Sequence, residues 1–375
     1  MITRYCQDLE RFLKPNHALI IIGPRQAGKT TLLKHFLSKT SLKYKLDSGD
    51  NIRTQHVLGS QDFDAILNYA AGYDLIALDE AQQIPNIGMA LKILVDQIPG
   101  LRVIATGSSS FDLVQSVGEP LTGRKITLSL FPLAQSELAT VYNRHELREQ
   151  LPNFLIFGGY PAVVSAPTRN EKIQVLTELV DAYLLKDILA LEDIRKSDVL
   201  LSLVRLLAFQ IGQSVSHHEL ATQLHINVKT ITRYLDLLEK CFVLYKLGGL
   251  RGNLRREVTA KHKYYFFDLG VRNAVIAQFN PLDLRNDTGQ LWENFVIIER
   301  FKKTAYAGFY GQRYFWRTYQ GAEVDFVEVI EQEVHAFEVK WSTTKQVYAP
   351  AAWYEAYPHA TFTVITPENY LTHIL

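Results

Sequence analysis

Apolar runs of strand length alternate with amphipathic stretches through the first third of the chain. ALIII, LIALD and RVIAT are nearly unbroken apolar runs, the pattern of strands buried inside a parallel sheet. ALKILVDQI, between the second and third runs, has helical spacing and completes a βαβ rhythm, so ligands are expected at the carboxyl ends of the strands. From about residue 171 the period changes. Ile173, Leu176, Leu179 and Val180, then Tyr183 and Leu184, recur at helical spacing with no glycine or proline before Gly212, which predicts a helical linker or lid. SVSHHELATQLHINVKTITRYLDLLEKCFVLYKL then reads as helix, turn, helix and strand. Ser216 caps the first helix with Glu219 three residues on, and Ile231, Leu235 and Leu238 face inward on the second. After residue 288 the order is amphipathic helix (TGQLWENFVIIERFKK), three strands (QRYFWR, EVDFVEVI, HAFEVKW), a short helix (APAAWYEAY) and a last strand (ATFTVIT).

The first strand runs into Gly23, Pro24, Arg25, Gln26, Ala27, Gly28, Lys29 and Thr30, followed by Thr31 and a helix-forming run. This is G-x-x-x-x-G-K-T between a strand and a helix, a loop whose backbone N–H groups curl around phosphate oxygens at a helix N-terminus. Lys29 is expected to reach the β- and γ-phosphates, and the Thr30 hydroxyl to coordinate Mg²⁺. The second strand ends in Asp79 and Glu80. An acid ending an apolar strand needs a partner, and Mg²⁺ held through water gives Asp79 one, while Glu80 is placed to orient or deprotonate the attacking water. Thr106 or Ser108, at the tip of the third strand, is a candidate γ-phosphate sensor. Arg124 is a candidate phosphate contact, in cis or across a subunit interface, and equally a plain surface arginine.

Composition narrows the picture only a little. A chain of 375 residues is long for one core, so two or three domains are expected. The net charge of +1 leaves any nucleic-acid argument to local clusters. Two distant cysteines, Cys6 and Cys241, exclude a disulfide framework and fit a reducing, cytoplasmic setting. The charged N-terminus has no signal-peptide core, and ALIII is too short to span a bilayer.

The stretches GPRQAGKTTLL, LIALDEAQQIP, VIATGSSSFDL, LTGRKITLSLFPL and FGGYPAVV, in this order, resemble a family of bacterial and archaeal AAA-type ATPases. That family carries a winged-helix segment and a C-terminal domain of unknown function. The resemblance implies an α/β chain with an additional-strand P-loop ATPase domain over residues 1–150, a helical linker and winged helix over 151–270, and a PD-(D/E)XK nuclease-like domain over 271–375. It assigns Lys29, Thr30, Asp79 and Glu80 the roles derived above, but no substrate.

Two further groups of residues bear on function. Lys229, Thr230 and Arg233 fall on the outer face of the second helix, and Arg251, Arg255, Arg256, Lys261 and Lys263 make the following segment basic, so DNA phosphates are one expected partner. A packing module with a solvated loop is the other reading. His217 and His218 lack metal-ligand spacing. In the C-terminal segment the α-β-β-β-α-β order matches the PD-(D/E)XK core. Glu338 and Lys340 alternate onto one strand face, and a hairpin brings Asp325 beside Glu338. These oxygens suit Mg²⁺, with Lys340 positioning water or neutralising charge. By resemblance to one branch of that superfamily, Glu293 completes the metal shell. An ordinary salt-bridged sheet face is the alternative. Two functions therefore stay open: an ATP-hydrolysing protein acting on DNA with a Mg²⁺-dependent nuclease site, or a regulatory ATPase whose C-terminal domain docks a protein partner or a second copy.

Overall fold

The computed structural model describes residues 2–107, 121–181, 197–250, 262–342 and 346–375. Ser108, Tyr183, Leu184, Arg251, Arg255, Arg256 and Lys261 lie outside the described residues. Packing divides the chain into one unit of residues 3–132 with 240–242, and a second of 133–239 with 243–375. Within the second unit a single sheet runs across position 270.

The first unit is built on five strands: β1 (His17–Ile22), β2 (Tyr44–Ser48), β3 (Leu75–Asp79), β4 (Arg102–Gly107) and β5 (Lys125–Ser129). They pair in parallel in the order β2-β3-β4-β1-β5, so β4 lies between the strand entering the glycine-rich loop and the strand ending in Asp79. This is the additional-strand arrangement. Helices α1 (Lys29–Leu37), α2 (Ile52–Gly59), α3 (Phe63–Ala70) and α4 (Ile87–Gln97) complete the layers. The unbroken apolar runs now have their reason. Ile20, Ile76 and Leu78 pack in one cluster with Leu58, Ile66 and Leu91 of the helices, while Leu19, Ile21, Ala77 and Ile104 pack in another with Leu32, Leu33 and Phe36 of α1. Each fully buried Leu or Ile contributes roughly 1.5–3 kcal/mol. The parallel register sets the ends of β1, β3 and β4 side by side, with Ile21 opposite Thr106 and Leu78 opposite Ala105.

In the second unit, helices α5 (Leu151–Phe157), α6 (Arg169–Leu179) and α7 (Ser197–Phe209) precede β6 (Ser214–Val215), α8 (His217–Gln223) and α9 (Val228–Lys240). Ser216 caps α8 by accepting the Glu219 N–H, and α9 buries Ile231, Tyr234, Leu235, Leu237 and Leu238. Next come β7 (Leu244–Gly249), β8 (His262–Phe266), α10 (Leu269–Val275), α11 (Thr288–Tyr306), β9 (Gln312–Arg317), β10 (Glu323–Ile330), β11 (Glu333–Val339), α12 (Ala351–Ala356) and β12 (Thr361–Ile365). One seven-stranded sheet holds them in the order β12-β11-β10-β9-β7-β8-β6. Within it β9, β10 and β11 are antiparallel neighbours and β12 is parallel to β11. A parallel β7–β9 pairing joins the two halves.

Two distant sequence motifs meet in this unit. Asp268 of YFFDLG caps α10 through the Val271 N–H (3.1 Å) and accepts the Gly159 N–H (2.7 Å). Gly158 has φ +72°, and a Cβ there would fall 2.1 Å from Asp268 Oδ1, so FGGY needs its glycine for both conformation and close approach. Among the described residues no helix is long and apolar enough to cross a membrane.

Candidate functional site

In the first unit the glycine-rich loop leaves β1 against the end of β5. A Cβ on Gly23 would lie 2.1 Å from the Leu130 carbonyl oxygen, so only glycine allows that approach. Gly28, at φ +100°, opens α1, which has no side-chain cap; its leading N–H groups are left to an anion. Arg4 braces the loop from behind, donating to the Ala27 carbonyl (2.7 Å) and the Phe131 carbonyl (2.5 Å). Lys29 is 4% exposed and donates to the Gly23 and Pro24 carbonyls, each at 2.9 Å. Burial lowers its pKa to about 8, against the pull of Glu80 and Asp79.

Thr30 and Asp79 meet, with Thr30 Oγ1 donating to Asp79 Oδ2 at 2.8 Å. Thr106 donates to the other oxygen, Asp79 Oδ1. The Glu80 N–H points to Thr106 Oγ1 (3.3 Å), while the Glu80 carboxylate accepts from Gln82 Nε2 at 2.6 Å. Hydroxyl and carboxylate oxygens facing one another below a phosphate-sized loop fit Mg²⁺ and a nucleoside triphosphate. Pro24 and Ala27 are buried in the loop, while Arg25, Gln26 and Thr31 are exposed.

Arg124 is elsewhere. It precedes β5, whose first residue, Lys125, lies opposite Ala18, whereas the loop follows Ile22 at the far end of the same strand pair. At about 3.3 Å per residue, that separation is of the order of 13 Å or more. Arg124 pairs with Asp96 instead. The expectation that it contacts phosphate in cis is therefore corrected: a parallel strand has its ligand end and its entry end on opposite edges of the sheet.

The second candidate site lies on β10 and β11. Between Val324 and Val327 the β9–β10 register slips, because β10 carries an extra residue there. A bulge of this kind re-aims side chains, and Asp325 sits within it. Asp325 Oδ2 accepts the Val339 N–H at 2.9 Å. Lys340 Nζ lies 2.5 Å from Glu338 Oε1 and 3.9 Å from Asp325 Oδ2. Glu338 Oε2 is buried without a hydrogen-bond partner. Burial, with the Asp325 charge adding to it, pushes the Glu338 carboxyl up. Burial disfavours the Lys340 ammonium, but Asp325, Glu338 and Glu293 together hold its pKa above the usual value.

Glu293 is drawn to a different cation. Lys263 Nζ lies 3.3 Å from Glu293 Oε1 and 2.6 Å from Glu323 Oε1, and the Tyr265 hydroxyl donates to Glu293 Oε1 at 2.7 Å. Burial raises the Glu293 pKa to about 7, with Lys263 opposing the rise. Lys263 is 3% exposed, which corrects its assignment to a phosphate-binding basic loop. Sequence reasoning missed Glu323, Tyr265 and the true partners of Lys263. The available signal was a lysine inside the apolar run YYFF's own strand, since a buried ammonium requires acids. Among the described residues no set of three or more Asp, Glu, His or Cys side chains is arranged to hold a metal ion. The donor chemistry of Asp325 and Glu338, with one orphaned oxygen, nevertheless fits a divalent cation held by two carboxylates.

On α9, Lys229 and Arg233 are exposed and line a cleft of about 420 Å³ with Thr232, Lys246, His217 and Tyr264; Asp236 and Glu239 also line it. His217 accepts or donates with the Tyr264 hydroxyl at 2.9 Å and stacks on His262.

Comparison with known proteins gives three adjoining matches: residues 15–139 to an AAA domain, 148–283 to a domain of unknown function (DUF8612), and 288–372 to a domain of unknown function (DUF4143). An uncharacterized protein of Mycobacterium tuberculosis is 27% identical over 343 residues, spanning 90% of this chain and 74% of the relative. An uncharacterized protein of Methanocaldococcus jannaschii is 23% identical over 357 residues, spanning 86% and 74%. Among solved structures, the Walker-type ATPase of Pyrococcus abyssi aligns at 14% identity and TM-score 0.48, covering 74% of this chain and 96% of its own. The match of residues 15–139 to an AAA domain, the additional-strand sheet and the loop geometry agree on a P-loop ATPase fold for the first unit and support an ATP-binding and ATP-hydrolysing function.

Proposed function

We propose that this chain uses ATP hydrolysis to act on DNA, and that its C-terminal acidic site cleaves the phosphodiester backbone with Mg²⁺. In the ATPase site, Lys29 would exchange its two carbonyl partners for phosphate oxygens of ATP, Thr30 and Asp79 would hold Mg²⁺, which neutralises phosphate charge, and Glu80 would orient the attacking water. In the second unit, helix α8, the turn, helix α9 and the β7–β8 hairpin act as a winged helix. Lys229 and Arg233, with Arg251, Arg255 and Arg256 of the segment beyond β7, meet phosphates.

The observation that carries the nuclease reading is the meeting of Asp325, Glu338 and Lys340 at a β-bulge, with Glu338 Oε2 left unpartnered, in an α-β-β-β-α-β order with β12 parallel to β11. Asp325 and Glu338 would hold Mg²⁺, which supplies charge neutralisation at the scissile phosphate and an activated water. Lys340 orients that water. The test is nicking of supercoiled DNA by the full chain. Cleavage should require Mg²⁺ and vanish in Asp325→Ala and Glu338→Ala while ATP turnover persists. Absence of cleavage of every DNA and RNA form tried, with Mg²⁺ or Mn²⁺, overturns the reading.

One observation favours a second reading. The acids are already neutralised by Lys263 and Lys340, and no three-acid metal set is assembled among the described residues. The second unit would then be a docking surface, switched by nucleotide state, for a protein partner or a second copy. Glu80→Gln, which retains ATP without hydrolysing it, should alter assembly size or partner capture; identical assembly with ATP and without it excludes this reading.

A further inference from the structure

Three carboxylates share the C-terminal acidic face, but they are not equivalent. Glu293 is closed in on three sides. Lys263 Nζ lies 3.3 Å from Oε1, and the Tyr265 hydroxyl donates to the same oxygen at 2.7 Å. Gly212 backs the carboxylate so closely that a Cβ there would lie 3.2 Å from Oε1 and 3.4 Å from Oε2. Lys263 itself is pinned by Glu323 at 2.6 Å and is almost wholly buried. Moving Glu293 toward a metal would strip a buried ammonium of one of its two acids, leaving its charge half-compensated away from water. Glu338 and Asp325 are held by a cation that can turn to solvent: Lys340, 2.5 Å from Glu338 Oε1, is 40% exposed, whereas Lys263 is buried. Glu338 Oε2 has no partner, and Asp325 holds one backbone N–H with Lys340 at 3.9 Å.

We infer that Lys263 and Tyr265 are positioning residues that withhold Glu293 from the divalent-cation shell, leaving Asp325 and Glu338 as the carboxylate ligands. This rests on the metal-site reading above and departs from the expectation that Glu293 completes the shell. A site with two protein carboxylates keeps open positions for water and phosphate oxygens, which suits a cation that binds weakly until a phosphodiester arrives.

The experiment is a Mn²⁺ titration of the full chain, read by the electron paramagnetic resonance of free Mn²⁺, with Asp79→Asn in every variant to silence the ATPase site. Glu338→Gln should weaken Mn²⁺ binding at least tenfold, whereas Glu293→Gln should change it less than twofold. The charge-balanced pair Lys263→Met with Glu323→Gln should tighten binding about tenfold, and adding Glu293→Gln should remove that gain. If that pair does not fold, as judged by circular dichroism, Tyr265→Phe loosens the same hold and should tighten binding severalfold. Glu293→Gln weakening Mn²⁺ binding as much as Glu338→Gln overturns this inference while leaving the metal reading intact. No Mn²⁺ binding to the Asp79→Asn chain overturns both.

Discussion

The loop at the end of β1 and the acid pair Glu293–Glu323 each hold a buried lysine, and the two lysines are held in opposite ways. Lys29 rests on two neutral carbonyls of its own loop. Burial pulls its pKa down to about 8, and the charges of Glu80 and Asp79 offset that only in part. Lys263 is clamped between Glu293 and Glu323, whose charges overcome the cost of burial and hold its pKa above the usual value. A cation on carbonyls is a cation waiting for an anion, since any phosphate improves on what it has. A cation already carrying two acids has its counter-charge and contributes to the fold. The difference teaches that burial alone does not distinguish a ligand-binding lysine from a structural one; the partners do.

That contrast can be broken most decisively at Lys29 and Glu80. Lys29→Ala should abolish phosphate release from ATP, and Glu80→Gln should stop turnover while ATP still binds. Unchanged turnover in Lys29→Ala refutes the site. The same Lys29→Ala change should leave urea denaturation within about 1 kcal/mol of the parent, because the loss of two hydrogen bonds to loop carbonyls is offset by removing an ammonium that burial disfavours. Lys263→Met should do the reverse. It strands two acids and should cost about 3 kcal/mol of stability in urea unfolding, with ATP turnover retained at temperatures where the chain stays folded. A neutral outcome would mean that Glu293 and Glu323 relax into solvent, and the structural role fails.

Acid sensitivity gives a smaller effect. Burial, with Lys246 and His217 adding to it, pushes the His262 pKa down to about 4, and burial with Lys246 lowers that of His217. For a histidine whose folded pKa is depressed, the unfolded state takes up the proton first. The stability is therefore present above about pH 6.5 and is lost as pH falls toward 4. His262→Gln should flatten the stability profile over that window, and an unaltered slope would assign the acid sensitivity to other groups. The smallest expected change is at Lys229. If α9 meets DNA phosphates, Lys229→Ala should weaken non-specific binding modestly and reduce the slope of log K against log salt by about one. A salt slope identical to the parent would remove α9 from the interface and move weight to the docking reading.

Much of the ATPase unit was legible in the residues. G-x-x-x-x-G-K-T between a strand and a helix is a local motif that sets Thr30 in the first turn of α1, and Asp79 and Thr106 are strand-end residues that a parallel sheet must bring to the same edge. For Arg124 the sequence left contact in cis, contact across an interface and a surface role open, because nothing local says which end of its strand it occupies; the sheet removes only contact in cis. Arg4 was missed because its partners, Ala27 and Phe131, are distant in sequence. In the C-terminal unit the element order and the Glu338–Lys340 pair follow from strand alternation, but the bulge that turns Asp325 and the clamp on Glu293 do not.

The sequence by itself determined the phosphate loop, the parallel sheet that carries it, the helix–turn–helix order and the strand order around β10 and β11. Each depends on periodicity or on residues a few positions apart. Only the tertiary structure decided which acids stand together. The seven-stranded sheet brings β8 beside β7 and, through the β7–β9 pairing, into the same body as β10, so Lys263 meets Glu293 and Glu323 across long stretches of chain. Buried charges select their partners in space, and pairing energies at low dielectric are large enough to override any assignment made from spacing along the chain.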